Sequence, residues 1–397
     1  MAKAEWNPRR LDDLGFVGRG KSRYRPRNEA KLFGGPYPFV QTADVMGADP
    51  YITSYSQTYS EFGLQQSKMW PAGTLCMTIA GANTAKTAIL RIEACFPDSI
   101  VGFIPDKSKA DLYFVKYSLD LMRDRFLSVS RGATQDNLSL DKLLSFPIAA
   151  PDVDEQRRIG GILSAYDNLI GNNTRRIKIL EEMAQRLYRE WFVHFRFRGR
   201  ENVKLVDGDI PGGWELKKLG DVSDILMGQS PRSEFYNETR KGLPFHQGVT
   251  NFGDRFPVDR IYCTVENRIA EEGDILFSVR APVGRLNIAD KKIVIGRGLC
   301  AIRSKTDNQP FVFQQLTEKF QEEDTMGGGT IFKSVTKDDM HGIEMLWPDE
   351  TTLAQFDECV KPIFLELQNL TWKNANLRRT RDLLLPKLIS GEVNMEE

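Results

Sequence analysis

The chain has 397 residues, and its 54 lysines and arginines balance its 54 aspartates and glutamates, so net charge does not point to nucleic acid. A hydrophobic content of 41% and a charged content of 27% are typical of a globular protein. Apolar runs stay well short of the roughly 20 residues that a bilayer span needs, and the N-terminus MAKAEWNPRR lacks the apolar core of a signal peptide. The sequence therefore predicts a cytoplasmic protein that does not enter a membrane.

Five cysteines and three histidines are scattered along the chain, and no C-x-x-C pair occurs among them. This spacing predicts reduced, buried thiols rather than a disulfide framework. It also lacks the ligand patterns of zinc sites. We therefore expect no metal site in this chain.

The first motif along the chain is GFVGRGKS, residues 15–22, which fits the phosphate-loop pattern G-x-x-x-x-G-K-[ST]. A true phosphate loop follows a buried apolar strand and opens a helix. Here the preceding WNPRRLDDL is polar, and Pro26 discourages a helix soon after the motif. The surroundings therefore argue against a nucleotide site, although an NTPase that uses Lys21 remains an alternative.

The same segment continues as RGKSRYRPRN, in which five cations alternate with no acid between them. On an extended chain, alternate side chains project from one face. Cations at that density neutralise phosphates, and nearby hydroxyl and amide groups can add contacts. The segment predicts contact with a nucleic-acid backbone through Arg19, Lys21, Ser22, Arg23, Tyr24, Arg25, Arg27 and Asn28. A solvated basic loop is the alternative interpretation.

Four motifs recur in the same order at a displacement of about 200 residues, which indicates internal duplication. The pairs are LDDLG (11–15) with LKKLG (216–220), YPFVQTADV (37–45) with LPFHQGVTN (243–251), AGTLCMTIAG (72–81) with EGDILFSVRA (272–281), and RGATQDNLSLDKLLSFPIAAPD (131–152) with GGGTIFKSVTKDDMHGIEMLWPD (327–349). The second copy aligns Gln229 with Lys21, so the cation of the phosphate-loop pattern occurs once only.

Each half begins with short apolar strands between Gly/Pro turns and ends in a helical region. The stretches 74–81, 87–96, 274–279 and 292–303 predict strands, and 109–129 and 309–323 predict helices packed on them. The sequence thus predicts an α+β protein with an internal pseudo-two-fold repeat. Two α/β-type domains, 1–150 and 201–347, alternate with helical regions at 151–200 and 348–397.

The two helical regions carry apolar residues at alternating steps of three and four, the spacing of a coiled-coil seam. The predicted interface residues are Ile159, Leu163, Ile170, Asn173, Ile177, Leu180, Leu187, Phe356, Val360, Leu367, Leu370, Asn374, Leu377 and Leu384. We expect these two long helices to form an antiparallel coiled coil. Separate packing of each helix on its own domain is the alternative.

One antiparallel register places the two polar seam residues, Asn173 and Asn374, opposite each other, so that each can satisfy the other. Pro362 lies inside the second pattern and should kink the helix or delay its start. The polar residues His194 and Arg381 also occupy seam positions, where we expect the seam to fray.

These residues resemble the specificity subunit of type I restriction–modification enzymes. The motifs that carry the resemblance are RGKSRYRPRN…LFGGPYPFVQTADV, GATQDNLS…FPIAAPDVDEQRRIGGILSAYDNLI, GDILFSVRAPVGR and LLLPKLISGEV. The resemblance implies two target-recognition domains that read a bipartite target in double-stranded DNA, with the coiled coil holding them at a fixed spacing. The second copy, PDETTLAQF, lacks the Glu-Gln pair of residues 155–156, so the two helix starts need not have equivalent roles.

The resemblance also implies partners that carry the chemistry. Two methyltransferase subunits would dock on the helical regions and use S-adenosylmethionine, and restriction subunits would use ATP and magnesium. This chain would bind no cofactor and would not be an enzyme. The sequence agrees, since it contains no [DNS]-P-P-[YF] methylase motif. A coiled-coil interaction protein without DNA readout is a further alternative.

Base reading in a groove needs amides, hydroxyls and guanidiniums on exposed loops. Two PF-x-Q repeats place amides at matching positions, and other candidates follow Gly-rich turns or flank the strand end SVRAPVGR. The predicted DNA-contacting residues outside the first basic segment are Gln41, Thr134, Gln135, Gln229, Ser230, Arg232, Gln247, Arg280, Arg285, Thr330 and Lys333. Each of them could equally be a structural turn residue.

Overall fold

The computed structural model describes residues 6–81, 84–130, 137–202, 205–206, 210–325 and 334–393. The chain forms two compact units, Met1–Thr174 with Lys373–Glu397, and Arg175–Trp372. Each unit combines one mixed region of strands and short helices with parts of two long helices. The four-part division of the chain at 150, 200 and 347 remains a prediction.

Two of the eleven α-helices in the described residues are far longer than the others, with 40 residues each. The helices are α1 (Leu11–Leu14), α2 (Thr42–Gly47), α3 (Glu61–Gln65), α4 (Leu112–Leu121), α5 (Arg123–Ser130), α6 (Leu140–Leu144), α7 (Val153–Phe192), α8 (Leu219–Val222), α9 (Gln309–Thr325), α10 (Lys337–Gly342) and α11 (Glu350–Ile389). The single helix predicted at 109–129 is wrong. Two helices occupy that stretch, because the chain leaves the helical conformation at Met122, which caps α4.

In the first unit, eleven short strands form three sheets. The strands are β1 (Asn7–Arg9), β2 (Gly15–Arg19), β3 (Phe33–Phe39), β4 (Tyr51–Ile52), β5 (Gln57–Tyr59), β6 (Met69–Trp70), β7 (Leu75–Thr78), β8 (Thr87–Leu90), β9 (Ala94–Cys95), β10 (Ile100–Pro105) and β11 (Ile148–Ala150). The sheet orders are β1-β11, β2-β10-β7-β8-β4 and β5-β3-β9-β6. Strands β3 and β9 run parallel.

The second unit has thirteen strands in four sheets. They are β12 (Leu205–Val206), β13 (Ile210–Pro211), β14 (Glu215–Lys218), β15 (Ser223–Met227), β16 (Tyr236–Asn237), β17 (Leu243–His246), β18 (Ile261–Cys263), β19 (Ile269–Ala270), β20 (Ile275–Ser278), β21 (Leu286–Ile288), β22 (Ile293–Ile295), β23 (Leu299–Ser304) and β24 (Glu344–Trp347). The sheet orders are β12-β13, β14-β24, β15-β23-β20-β21 and β16-β18-β17-β22-β19. Strands β17 and β22 run parallel.

The two units repeat the same strand arrangement. The β1-β11 pair corresponds to β14-β24, and the sheet β2-β10-β7-β8 corresponds to β15-β23-β20-β21. The β5-β3-β9-β6 sheet corresponds to β18-β17-β22-β19, and each contains one parallel pair at its centre. The internal duplication that the sequence predicts is therefore present in the backbone.

The structure corrects two details of the repeat. Helix α1 corresponds to α8, so LDDLG aligns with LGDVS and not with LKKLG, whose first residues lie in β14. The error arose because a leucine pattern recurs three residues earlier in the second copy. The strands predicted at 87–96 and 292–303 each divide between two sheets, since a short turn separates β8 from β9 and β22 from β23.

The predicted seam residues of the long helices are all buried or half-buried. In the first unit, Ile159 and Leu163 of α7 share a core with Leu388 of α11 and with strands of the domain. In the second unit, Ala184 of α7 and Phe356 of α11 share the other large core. The helices therefore pack both on each other and on the domains. The coiled-coil interpretation and the domain-packing interpretation of the periodicity thus each describe part of the helix surface.

The expected register is present in the first unit, where the helices run antiparallel. Asn173 Nδ2 lies 2.9 Å from Asn374 Oδ1, and both side chains are buried. The amide of Asn374 also donates to Thr174 Oγ1 at 3.2 Å. Two asparagines that would be costly alone thus satisfy each other inside an apolar interface.

One expectation for the second helix, the fraying at Arg381, is wrong, and of the two effects expected of Pro362 the late start does not occur. Arg381 does not fray, because its guanidinium donates to the buried carboxylate of Asp167 on α7. Pro362 does not delay the helix, since α11 begins at Glu350 and continues through it. The buried residues Phe356 and Val360 precede Pro362 on the same helix and belong to the core of the second unit.

We predict that Asn374→Leu destabilises the chain by about 1–3 kcal/mol, because it leaves the amide of Asn173 buried without its partner. The double variant Asn173→Leu/Asn374→Leu should recover most of that loss. Urea unfolding of the purified chain measures both. The control is Asn376→Leu, an exposed asparagine on the same helix. A double variant no more stable than the single one would contradict this account of the pair.

Candidate nucleic-acid interface

The phosphate-loop pattern does not have the structure of a phosphate loop. Residues Gly15–Arg19, the first part of the motif, form strand β2 and pair with β10. The next helical element along the chain is one 3-10 turn at Ala30–Leu32, so the motif does not open a helix. The backbone N–H groups of Gly20 and Lys21 donate to Ile100 O and Phe96 O at 2.9 and 3.0 Å. These groups are therefore used within the fold.

Gly20 is required by a close approach of two backbone segments. A Cβ atom on Gly20 would lie 2.3 Å from both Phe96 O and Pro97 O. The second unit repeats the arrangement, since a Cβ on Gly228 would lie 2.2 Å from Gly296 O. Gly228 and Gln229 donate to Leu299 O and Ile295 O at 2.9 and 3.0 Å. The shared glycine is thus a packing requirement of both domains.

The five cations of the first basic segment do not share one face. Strand β2 ends at Arg19, and after irregular backbone the chain bends at Arg25 and turns at Arg27. Arg25 Nη1 donates to Ser22 O at 2.7 Å. The expectation of a uniform basic face is therefore wrong, because a turn interrupts the alternation.

Asp98 engages two of these cations. Arg19 donates to the backbone carbonyl of Asp98 at 2.7 Å, and Arg27 forms an ion pair with its carboxylate at 3.0 Å. Lys21 and Arg23 are exposed, and within the part of the chain that the structure describes their side chains make no hydrogen bond or ion pair. These two cations are the ones that project freely from the loop.

Residues behind the loop hold its backbone in place. Gln66 Oε1 accepts from the N–H groups of Arg23 and Tyr24 at 2.6 and 3.0 Å. Ser22 is buried with its Oγ 3.5 Å from the hydroxyl of Tyr59, so it faces the interior of the first unit. Burial raises the pKa of Tyr59, which stays protonated at neutral pH. Gln66 is distant from this loop in the sequence, so no local sequence pattern indicated that it supports the loop.

Two lysines lie over aromatic rings near this loop. Lys31 Nζ lies 4.4 Å above the ring of Tyr24 and 4.7 Å above that of Phe62. Lys68 Nζ lies 4.5 Å above the exposed ring of Phe16. Sequence reasoning missed both lysines, because no alternation marks them. They enlarge the positive surface around Lys21, while Asn28 is exposed on the turn.

The corresponding loop of the second unit has a different charge arrangement. Gln229 is exposed, and Ser230 Oγ accepts from Arg297 N at 3.2 Å. Arg232 is largely exposed, with Glu234 at 3.9 Å. Arg297, which is exposed, occupies the turn position that Asp98 has in the first unit. Sequence reasoning missed Arg297, since the turn that places it beside Gln229 is formed only by the sheet.

The two PF-x-Q glutamines follow corresponding strands. Gln41 lies two residues after the end of β3 and is the N-cap of α2, and its amide donates to Gln57 Oε1 at 2.6 Å. Gln247 is exposed directly after β17. The preceding His246 is fully buried and lies 3.1 Å from Asp259. Burial alone would raise the pKa of Asp259, but hydrogen bonds from His246 and Lys291 hold it below its usual value.

The remaining predicted DNA contacts lie on the β20–β21 hairpin or outside the residues that the structure describes. Arg280 and Arg285 are exposed at the turn between β20 and β21, and Arg285 N donates to Ser278 Oγ at 2.8 Å. Ser278 also donates to Pro282 O at 2.6 Å, which fixes the turn. Four predicted contacts lie outside the described residues: Thr134, Gln135, Thr330 and Lys333.

The described residues bear on three further kinds of site: membrane spans, metal sites and reactive thiols. None of the helices described is long and apolar enough to cross a membrane. The described residues contain no cluster of three or more His, Cys, Asp or Glu side chains arranged for a metal ion. Four cysteines are buried and unpaired, and burial raises the pKa of Cys76 and Cys300. Cys359 is exposed, so the expectation that all five thiols are buried is wrong.

The fold and its surfaces define a class of protein: duplicated α/β modules, each packed on parts of two long antiparallel helices, with cationic and amide side chains on matching loops. Residues 3–182 and 211–350 match the family model described as type I restriction modification DNA specificity domain. The two matches cover most of the chain. The protein therefore belongs to the type I restriction–modification DNA specificity family.

Relatives and a solved structure agree with this family. The type I restriction enzyme MjaIX specificity subunit of Methanocaldococcus jannaschii is 26% identical over 413 residues, which covers 99% of this chain and 94% of the relative. The HindI specificity subunit of Haemophilus influenzae is 24% identical, with 68% and 74% covered. The crystal structure of a type I restriction-modification system S subunit from M. genitalium has a TM-score of 0.64 at 18% identity, covers 96% of each chain, and shows the shared fold.

We predict that Gly20→Ala destabilises the chain by about 1–3 kcal/mol, because the added methyl overlaps two backbone carbonyls. Gly47→Ala is the matched control, since a Cβ there meets nothing within 4 Å. Thermal unfolding distinguishes the two variants. Equal stability of both would show that the backbone at residue 20 can relax, and would remove the packing explanation of the motif.

Proposed function

We propose that this chain is the sequence-specific DNA-binding specificity subunit of a type I restriction–modification complex and that it reads a bipartite target. The observation that carries the proposal is the duplicated domain, matched in both copies by the DNA specificity model. Each copy offers a loop after its first long strand and a glutamine after a central strand. Two similar modules with different exposed side chains suit two different half-sites.

The basic loop of the first unit supports contact with the phosphate backbone. Lys21 and Arg23 are exposed cations on a loop that Gln66 holds in place, so their charges are available without unfolding the domain. Phosphate contacts position a protein on DNA, whereas base contacts supply specificity. Gln41, Gln247 and the hairpin arginines Arg280 and Arg285 are proposed for base contact, since amides and guanidiniums match base edges.

The long helices suit the role of a spacer between half-sites. Helix α7 has 40 residues, which corresponds to about 60 Å at about 1.5 Å per residue. That is nearly two turns of DNA at about 34 Å each. The buried asparagine pair specifies one register of the helices, as a polar seam residue does in coiled coils.

The helices also suit the docking of partner subunits. In the second unit, Ile179, Met183 and Leu365 are exposed apolar residues, and in the first unit Leu383 is exposed. Ile179 and Met183 are four residues apart on α7 and therefore neighbours on its surface, and contiguous exposed apolar side chains mark interaction surfaces. We assign these residues to contacts with two methyltransferase subunits, which would carry S-adenosylmethionine, while restriction subunits would carry ATP and magnesium. This chain would contribute recognition and no catalysis.

The experiment that tests the proposal is a genome-wide map of methylated adenines in cells that express this chain with its neighbouring methyltransferase subunit. Two short specified blocks around an unspecified spacer are the expected result. A single undivided motif would contradict bipartite reading. A complex that assembles but leaves DNA unmethylated would contradict the proposal as a whole.

We predict that Lys21→Ala and Arg23→Ala each weaken DNA binding by the assembled methyltransferase complex and lower the salt slope of log K by about one. The binding constant measured at several salt concentrations gives the slope. Arg10→Ala is the control, because Arg10 is an exposed cation paired with Asp12. Unchanged slopes for both loop variants would show that the loop does not contact phosphates.

We predict that Leu365→Asp and Leu383→Asp reduce co-purification of the methyltransferase subunit with this chain, since each places a charge in an apolar interface. Both side chains are exposed, so the folded chain itself should keep its thermal stability. Leu169→Asp, at an exposed position of α7 in the first unit, tests whether the interface extends to that part of the helix. Full co-purification of all three variants would exclude these faces as the docking surface.

A further inference from the structure

Arg255 is a buried cation in the second unit, and it contacts both long helices. Its guanidinium is 6% exposed and lies 3.6 Å from Glu181 of α7. The same guanidinium lies 4.6 Å from the ring centroid of Phe364 on α11 and 5.7 Å from that of Phe313 on α9. A loop of the recognition domain is thereby attached to three helices through one side chain.

The other side of the same loop is attached to the β20–β21 hairpin. Asn287 Nδ2 donates to Gly253 O at 3.0 Å, and Ile288 N donates to Arg255 O at 3.0 Å. Both donors belong to β21, the strand that follows the turn bearing Arg285. A continuous path of contacts therefore runs from the long helices through Arg255 to the hairpin that carries the proposed base contacts.

The chemistry of Arg255 is unusual for a residue whose purpose is stability. Burial lowers its pKa to about 10, and Glu181 opposes that shift, so the guanidinium remains charged at neutral pH. Burial correspondingly raises the pKa of Glu181. The side chain of Glu181 is 45% exposed, and a partly exposed ion pair contributes only modestly to stability. The planar, charged guanidinium of Arg255 takes one defined orientation between the carboxylate of Glu181 and the ring of Phe364.

The first unit attaches its domain to the helices by a different set of groups. Tyr117 of α4 donates to Asp167 of α7 at 2.5 Å, and Arg381 of α11 donates to the same carboxylate. Here the acid is on one helix, the arginine on the other, and the domain supplies a hydroxyl. Each recognition domain thus has its own polar contact with the long helices, in addition to the apolar core that it shares with them.

We propose that Arg255 is a positioning residue for the second half-site: it holds the β20–β21 hairpin in a fixed register on the long helices, and so determines which bases and which spacer length the second domain accepts. The inference rests on the proposed function, since it assumes that the hairpin reads DNA. Arg255 itself is too buried to touch DNA. Its effect is transmitted through the loop at 253–255 and through β21.

The test is the methylated-adenine map of cells that express the methyltransferase complex with Arg255→Met, which keeps an unbranched side chain but removes the charge and its defined orientation. We expect the first half-site to stay unchanged. The second half-site should relax, with methylation at sites that differ by one base or by one base pair of spacer rising about tenfold relative to the wild-type motif. A purely structural loss would lower methylation at all sites and leave the motif intact.

Matched variants distinguish the possible outcomes. Tyr117→Phe removes the hydroxyl that bonds to Asp167 in the first unit and should relax the first half-site only, and Lys292→Met removes an exposed cation of the second unit and should change neither. If Arg255→Met fails to fold, Arg255→Lys and Glu181→Gln serve in its place, with the same expected relaxation. An unchanged motif and spacer, or equal relaxation of both half-sites, overturns the inference. An undivided motif in the wild-type complex overturns the proposed function instead.

Discussion

The structure depends on the pairing of two 40-residue helices, and that pairing has one register because two asparagines face each other. A helix interface made only of apolar residues tolerates shifts of a heptad at small cost. Asn173 and Asn374 remove that freedom, since any shift would bury two amides without partners. The ion pair between Asp167 and Arg381 adds a second polar contact near one end of the same helix pair. Everything attached to the helices inherits this register.

Close backbone packing accounts for GFVGRGKS, the motif that fits the phosphate-loop pattern. In both domains the first long strand ends at a glycine that touches the turn between two sheets, and no side chain fits at that point. The lysine that follows Gly20 is exposed because the backbone around it is used in hydrogen bonds within the domain. A pattern typical of phosphate loops thus arises from packing, and its cation is left free for other ligands.

The two domains share a backbone and differ in the charges on it. At one corresponding turn the first domain has Asp98, which engages Arg19 and Arg27, and the second has the exposed Arg297. The attachments to the helices differ in the same way, with Tyr117 and Asp167 in one unit and Arg255 and Glu181 in the other. Duplication therefore preserves the framework, while side chains at corresponding places give each domain its own surface and its own support.

The sequence by itself determined the duplication, the alternation of mixed and helical regions, the buried faces of α7 and α11, and the partnership of Asn173 with Asn374. These features follow from local periodicity and from an internal repeat, and both can be recognised in the sequence alone. Only the tertiary structure decided that Arg381 is paired, that Ser22 is buried, that the basic segment bends at Arg25, that Gln66, Lys68 and Arg297 lie beside the candidate loops, and that Arg255 lies against the long helices. Each of these depends on residues brought together by sheets and helices from distant parts of the chain, and no periodicity in the sequence records such contacts.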